Sequence, residues 1–337
     1  MAKIDIFDAL KNQDMVQGLA GQKIYLYSGN NVGKTFQATR FPKPLLLMAE
    51  SGGNARNVPK IPIDTWNDFL QVVKQLIDGY DKAHEQFETI IIDTAEMLVA
   101  ISEMAVAKMY GVTDVSMVQD AAKTNPNGFS LARGNFRNQI NLLTKHGYTV
   151  IFISHETIDE DENSPTFGKL IPYNSNKSKG STRFLRDLCD FVFYIQDNGI
   201  DEESGDVIYS SAVCKGTNKV FARSRYPRIV PVIKEFTAEN TIAAIEDAIA
   251  KTAEDEGAGL VSFTPKKTED TKEDYFAMLQ PYVQKLFKVE PEYIAEQVEI
   301  ALGAGRKVTD ATDDEVSKLA TLYMVLVDHC SQMNISV

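Results

Sequence analysis

The residue pattern predicts an α/β fold, a mostly parallel central sheet flanked by helices, followed by a small C-terminal helical region. Three observations carry this. Apolar runs rich in β-branched residues alternate with segments of helical period. Several runs, "LLLM", "TIII" and "TVIFI", are apolar throughout instead of at every second position, as in strands covered on both faces. After about residue 250 the alternation stops, and charged, Gly- and Pro-bearing sequence takes over.

In chain order, residues 1–22 are mixed, with a short amphipathic helix expected around Ile4–Leu10. "KIYLYS" (23–28) is a β-rich run, and "KTFQATRF" begins a helix that Pro42 and Pro44 must end. "LLLMAES" is the next strand. In "TWNDFLQVVKQLIDGY", Trp66, Phe69, Val72, Val73 and Leu76 recur at steps of three and four, with Thr65 placed to cap the helix and Gly79 to stop it. "FETIIID" is a strand, followed by a helix from about 94 to 110, a loop over 111–130, and a helix near 131–146. "YTVIFIS" and "DFVFYIQ" are further strands. Between them, 156–180 is polar and reads as a long mobile loop. "DVIYSSAVCKG" and "NKVFARSRY" are expected to pair as a hairpin across Gly216-Thr217. The resulting organisation is an N-terminal segment (1–22), a core (23–250), a charged linker (251–272) and an acidic helical region (273–337).

The net charge of −12 argues against a surface coated for nucleic acid, but it is unevenly distributed. Residues 236–337 carry 19 acidic against 9 basic side chains, and the rest of the chain 28 against 26, so a local basic groove in the core stays open. No apolar run is long enough to cross a bilayer, and "MAKIDIFDAL" lacks the basic-then-apolar order of a signal peptide. Cys189, Cys214 and Cys330 are far apart and odd in number, which suits reduced buried thiols. A cytoplasmic protein without a membrane partner is the expectation.

The stretch "SGNNVGKT" (28–35) ends as a phosphate-binding loop does, but the first glycine of G-x-x-x-x-G-K-[ST] is replaced by Ser28. Its context is a strand before and a helix after, which such a loop needs so that backbone N–H groups face the anion. Gly33 lets the backbone approach phosphate, Lys34 supplies a point charge, and Thr35 supplies a hydroxyl for Mg²⁺. Asn30 and Asn31 tolerate left-handed backbone, Val32 fills the loop, and Ser28 is small enough for its place if Gly29 takes the strained angle. Downstream, "TIIID" has the form of a strand whose aspartate, Asp93, holds Mg²⁺ beside Thr35. ATP and Mg²⁺ are therefore the expected ligands. The position after Asp93 is Thr94, not glutamate, and Glu96 is a weaker candidate for activating water.

The order of "SGNNVGKT", "LLLMAES", "TIIID", "VIFISHE" and "KG…ARSR" over residues 20–235 resembles phage-encoded RecA-like P-loop ATPases, and within them the RecA/Rad-core single-strand annealing proteins of phage recombination. The resemblance implies a RecA-like P-loop NTPase core. It also implies that Glu50, at the end of "LLLMAE", is the catalytic glutamate. His155, at the end of "VIFIS", becomes a sensor beside the γ-phosphate. Arg223 or Arg225, with Lys215 as the next candidate, becomes a cation acting on the nucleotide of a neighbouring subunit in a head-to-tail oligomer.

The function expected is an ATP-hydrolysing protein acting on single-stranded DNA in recombination or annealing. Two segments can touch the strand, 124–138 and 168–183. The second carries Lys169, Lys177, Lys179 and Arg183 with Tyr173, cations and an aromatic suited to backbone neutralisation and base stacking. The acidic C-terminal region is expected to compete with DNA or to recruit another phage replication or recombination protein. The alternatives are a replication helicase or loader motor and a nucleotide-dependent regulatory switch.

Overall fold

A computed structural model describes residues 14–50, 57–121, 127–173, 183–200, 203–204, 208–264, 272–312, 315–333 and 335. The chain divides into two units, with the boundary between residues 264 and 272. The first unit contains β1 (Met15–Val16), β2 (Lys23–Ser28), α1 (Lys34–Ala38), β3 (Pro44–Met48), β4 (Lys60–Pro62), α2 (Trp66–Asp78), α3 (Tyr80–Gln86), β5 (Thr89–Asp93) and α4 (Ala95–Met109). It continues with α5 (Val118–Ala121), α6 (Gly128–Lys145), β6 (Thr149–Ile158), β7 (Leu170–Pro172), α7 (Arg183–Leu188), β8 (Phe191–Gln196), β9 (Ser211–Val213), β10 (Arg223–Ser224), β11 (Val232–Ile233), α8 (Ala238–Glu256) and β12 (Leu260–Val261).

Six strands run parallel in the order β8-β2-β6-β5-β3-β4. Successive side chains of a strand point to opposite faces, and here both faces are apolar. Tyr25 and Tyr27, Leu45 and Leu47, Ile90 and Ile92, and Val150 and Phe152 enter one core with α2, α4, α6 and α7. Ile24 and Leu26, Leu46, Ile91, and Ile151 and Ile153 enter the other, against α1 and α8. The mostly parallel sheet flanked by helices is thus the fold of this unit. The α2 helix has the expected bounds, because Thr65 accepts from the Asp68 N–H, Asp68 reaches back to Thr65, and Gly79 ends the helix.

Several segments differ from the sequence reading. The α6 helix starts at Gly128, where Asn127 accepts from the Ser130 N–H, and 115–121 forms short helical turns inside the segment read as a loop. The described part of 156–180, up to Tyr173, is not one long loop. The β6 strand continues to Ile158 and pairs antiparallel with β7, so the polar residues "HETI" act as a strand. The hairpin across Gly216-Thr217 does not form by strand pairing. Both β9 and β10 pair antiparallel with β8, at different places along its edge, and β9 pairs further with β11. The expected linker begins as structure: α8 runs to Glu256, Gly257 ends it in left-handed backbone, and β12 pairs in parallel with β1. The amphipathic helix expected around Ile4–Leu10 lies outside the described residues.

The second unit holds α9 (Lys272–Val289), α10 (Pro291–Leu302) and α11 (Val316–Gln332) around a core of Leu279, Leu286, Ile294, Val298, Leu319, Leu322 and Leu326. All three cysteines are buried free thiols. Among the described residues, no helix is long and apolar enough to cross a membrane.

Candidate nucleotide-binding site

Parallel strands gather their carboxyl ends at one edge of a sheet, and ligands of such sheets bind there. Register fixes what meets at this edge. Ser28 of β2 lies opposite His155 of β6, and Asp93 of β5 lies opposite Ile153 of β6 and Met48 of β3. Glu50 follows Met48 by two residues. The segment 29–33 leaves β2 at this edge and α1 begins at Lys34, the strand–loop–helix order that the motif requires.

The strained backbone falls on Asn31 (φ 64°) and Gly33 (φ 90°). Gly29 is not left-handed, so the expectation that it compensates for Ser28 is corrected. Ser28 is fully buried as the last residue of β2, and the left-handed turns come later in the loop. Gly33 is required by its φ and not by crowding, since a Cβ there would meet nothing within 4 Å. Asn30 is exposed, and Val32 packs against the core beneath α1.

The Lys34 ammonium turns back onto its own loop. It donates to the Ser28 hydroxyl at 2.8 Å, the Ser28 carbonyl at 3.2 Å and the Gly29 carbonyl at 2.6 Å. Thr35 donates its hydroxyl to Asp93 Oδ2 at 2.7 Å, joining the two motifs across 58 residues of sequence. Burial pushes the Asp93 carboxyl up from its ordinary pKa, against the Thr35 hydrogen bond and the Lys34 charge, which pull it down. Burial pulls the Lys34 ammonium down, opposed by Asp93, Glu96, Glu156 and Glu50. Four carboxylates therefore act on one ammonium.

Glu96 and His155 form a pair that sequence reading missed. Glu96 Oε1 lies 2.6 Å from His155 Nδ1 and accepts the His155 backbone N–H at 3.2 Å. Its other oxygen is buried without a partner, as is Glu156 Oε2 on the next residue of β6. Glu50 is exposed, and its Oε2 receives the Thr94 hydroxyl at 3.4 Å. The structure thus brings together Ser28 to Thr35, Glu50, Asp93, Glu96 and His155.

It does not bring Arg223 or Arg225 to this edge. Arg223 lies 3.9 Å from Asp187 and donates to the Cys189 carbonyl; Arg225 contacts Asp190 at 3.3 Å and the Leu188 carbonyl. Both sit where β8 begins. Phe191 pairs with Ile24, four residues before Ser28, or about 13 Å along the strand. Lys215 donates to the Pro227 carbonyl.

The match to known families decides the identity. Residues 20–226 match the model of the AAA domain. The chain belongs to this AAA domain family. It is also 35% identical over 338 residues, covering 96% of this chain and 98% of the other, to the SPbeta prophage-derived uncharacterized protein YorG of Bacillus subtilis (strain 168). The AAA match spans the loop, Asp93, His155 and both arginines, and stops before α8 and the helical unit.

The residues of this AAA domain fit a nucleotide with Mg²⁺. An ammonium that holds only its own loop's oxygens can exchange them for phosphate. A surplus of carboxylates with unpartnered oxygens suits added positive charge. Among the described residues no group of three or more His, Cys, Asp or Glu side chains is set to hold a metal. Mg²⁺ commonly takes one or two protein ligands and completes its shell from phosphate and water, so Thr35 and Asp93 suffice.

Proposed function

We propose that this chain is a phage-encoded, RecA-like ATPase that hydrolyses ATP with Mg²⁺ and acts on single-stranded DNA in recombination or annealing. The observation that carries the nucleotide part is the Thr35–Asp93 hydrogen bond at the carboxyl edge, beside the Lys34 ammonium. The prophage-derived relative supports the phage origin. The RecA-like reading rests on Glu50, which follows a strand paired with that of Asp93.

In this mechanism Lys34 leaves the Ser28 and Gly29 carbonyls for the phosphate chain. Thr35 and Asp93 would hold Mg²⁺, which neutralises phosphate charge when bound. Glu50, on the open side of the edge, orients the attacking water and takes its proton. Glu96 holds His155 by both ring and backbone, so the histidine presents a fixed face towards the phosphates. The His155 carbonyl accepts the Tyr173 N–H at 2.8 Å, and the Ser154 hydroxyl accepts it at 3.2 Å. Tyr173 of the basic segment 168–183 is thereby tied to the sensor. Within that segment Tyr173 and Arg183 are exposed, and Lys177 and Lys179 lie outside the described residues. The 124–138 segment is mostly the first turns of α6, which leaves 168–183 as the stronger DNA contact.

Neither arginine can reach its own nucleotide, so a catalytic role requires a neighbour in a head-to-tail oligomer. Arg225→Ala subunits mixed with Glu50→Gln subunits are expected to recover turnover, because some interfaces then hold an intact glutamate and an intact arginine. The Arg223→Ala mixture is the parallel test. No recovery in either, with turnover per subunit independent of concentration, would leave these residues as ion-paired edge groups.

The helical unit is not part of the nucleotide site in this proposal; the acidic region serves a protein partner or competes with DNA. A chain truncated after Thr264, which keeps all of α8 and β12, is expected to bind ATP as the full chain does. Cutting at 250 would remove the buried Thr252 and Ala253 and unsettle the core. Titration of ATP into the truncated protein decides this: lost affinity in a folded protein would mean that the helical unit completes the site.

A further inference from the structure

A general base acts only when its oxygen is held where the attacking water will be. Glu50 is exposed, and a free glutamate at a surface samples several rotamers. We propose that Thr94 is the positioning residue that fixes Glu50. This rests on the reading of Glu50 as the group that activates water. The Thr94 hydroxyl donates to Glu50 Oε2 at 3.4 Å, and among the described residues it has no other partner.

The hydroxyl is set aside for this contact. Thr94 directly precedes α4, and a threonine in that place ordinarily accepts an N–H of the first helical turn. Thr65, Asn127 and Thr237 do so at the starts of α2, α6 and α8. The Thr94 side chain caps nothing. It is also only 2% exposed, so solvent cannot readily stand in for a partner, and a buried hydroxyl left without one is costly. The Glu50 carboxylate satisfies a hydroxyl that has turned away from its own helix.

Backbone register brings the two side chains together. Met48 pairs with Asp93, and the Ala49 N–H donates to the Asp93 carbonyl at 2.7 Å, which carries the bonding of β3 with β5 up to the residue before Glu50. Thr94 follows Asp93 on the facing strand. It is joined by the chain to Asp93, which meets Thr35, and by its hydroxyl to Glu50. With Oε2 held, Glu50 Oε1 has no partner among the described residues and is left for the water.

The test uses the full chain with Thr94→Val, Thr94→Ser and Glu50→Gln, and the Val and Gln changes combined, with Mg·ATP as the probe. Calorimetric titration gives the affinities, and single-turnover phosphate release gives the rates. Valine keeps the size and branching and loses the hydroxyl. Thr94→Val is expected to lower turnover about tenfold with ATP affinity unchanged, and Thr94→Ser to stay within about threefold of the parent. In the Glu50→Gln background, Thr94→Val should change turnover by less than about twofold, because the side chain to be positioned can no longer take a proton. Thermal unfolding checks the fold, and Thr94→Ala takes the place of the valine if that variant does not fold. If Thr94→Val turns over like the parent, the positioning role is wrong and Glu50 stands. An equal loss in both backgrounds, or a loss of ATP affinity, would mean that Thr94 acts on the metal side or braces the site, and the positioning role is again wrong. If Glu50→Gln itself turns over like the parent, the reading of Glu50 falls and the inference falls with it.

Discussion

Lys34→Ala should remove most ATP affinity and essentially all turnover while leaving the fold intact. The ammonium is buried among Asp93, Glu96, Glu156 and Glu50, and it offsets part of their charge. Without it, a triphosphate would enter a site of four carboxylates with no fixed cation, and only metal would compensate. Its present partners are a hydroxyl and two carbonyls of its own loop, so the loss should not unfold the core. The loss of this countercharge is felt by the ligand first, since the carboxylates can take up protons or cations from solvent in its absence. Calorimetric titration of Mg·ATP, with thermal unfolding as a control, checks both halves. A variant that binds and hydrolyses ATP like the parent would show that the phosphates lie elsewhere.

Glu50→Gln carries the second large effect. Glutamine keeps the size of the side chain and can still accept the Thr94 hydroxyl, but it cannot take a proton. ATP binding should persist and turnover fall by about a hundredfold or more, the range of a lost general base. The comparison is Glu96→Gln. There an amide oxygen can still accept the His155 N–H, so turnover should drop by no more than about tenfold. The opposite ranking would make Glu96, on the first turn after Asp93, the group that activates water. Steady-state phosphate release from the two variants at saturating ATP separates these outcomes.

Much of this was legible in the residue order because the signals are local. Thr65, Asp68 and Gly79 define α2 by capping chemistry, and the runs in β3, β5 and β6 are apolar on both faces because helices cover both. The loop motif and Asp93 were legible for the same reason. What escaped depends on neighbours. Gly128 looks like a turn glycine, yet it is helical: a Cβ there would run into the Val115 carbonyl. The extension of β6 through "HETI" needs β7 beside it, and β7 is three residues long. Two-residue β10 has no sequence period. It exists because β8 offers an edge. The Glu96–His155 pair needs β5 and β6 to be adjacent, and nothing in either segment announces that. Gly29 keeps an ordinary φ because Ser28 ends β2 inside the sheet and the left-handed backbone comes later, at Asn31 and Gly33.

In the function we propose, this AAA domain turns over ATP at the Lys34–Asp93 site in response to single-stranded DNA. Phosphate release by the full chain, measured with Mg²⁺ and with chelator, each with and without single-stranded DNA, tests it directly. Turnover is expected to need Mg²⁺ and to rise severalfold or more with DNA, with annealing or strand separation of a labelled duplex then naming the output. Turnover unaffected by DNA would contradict the assigned substrate. No turnover under any of the four conditions, at protein concentrations that allow oligomers, would contradict the ATPase itself.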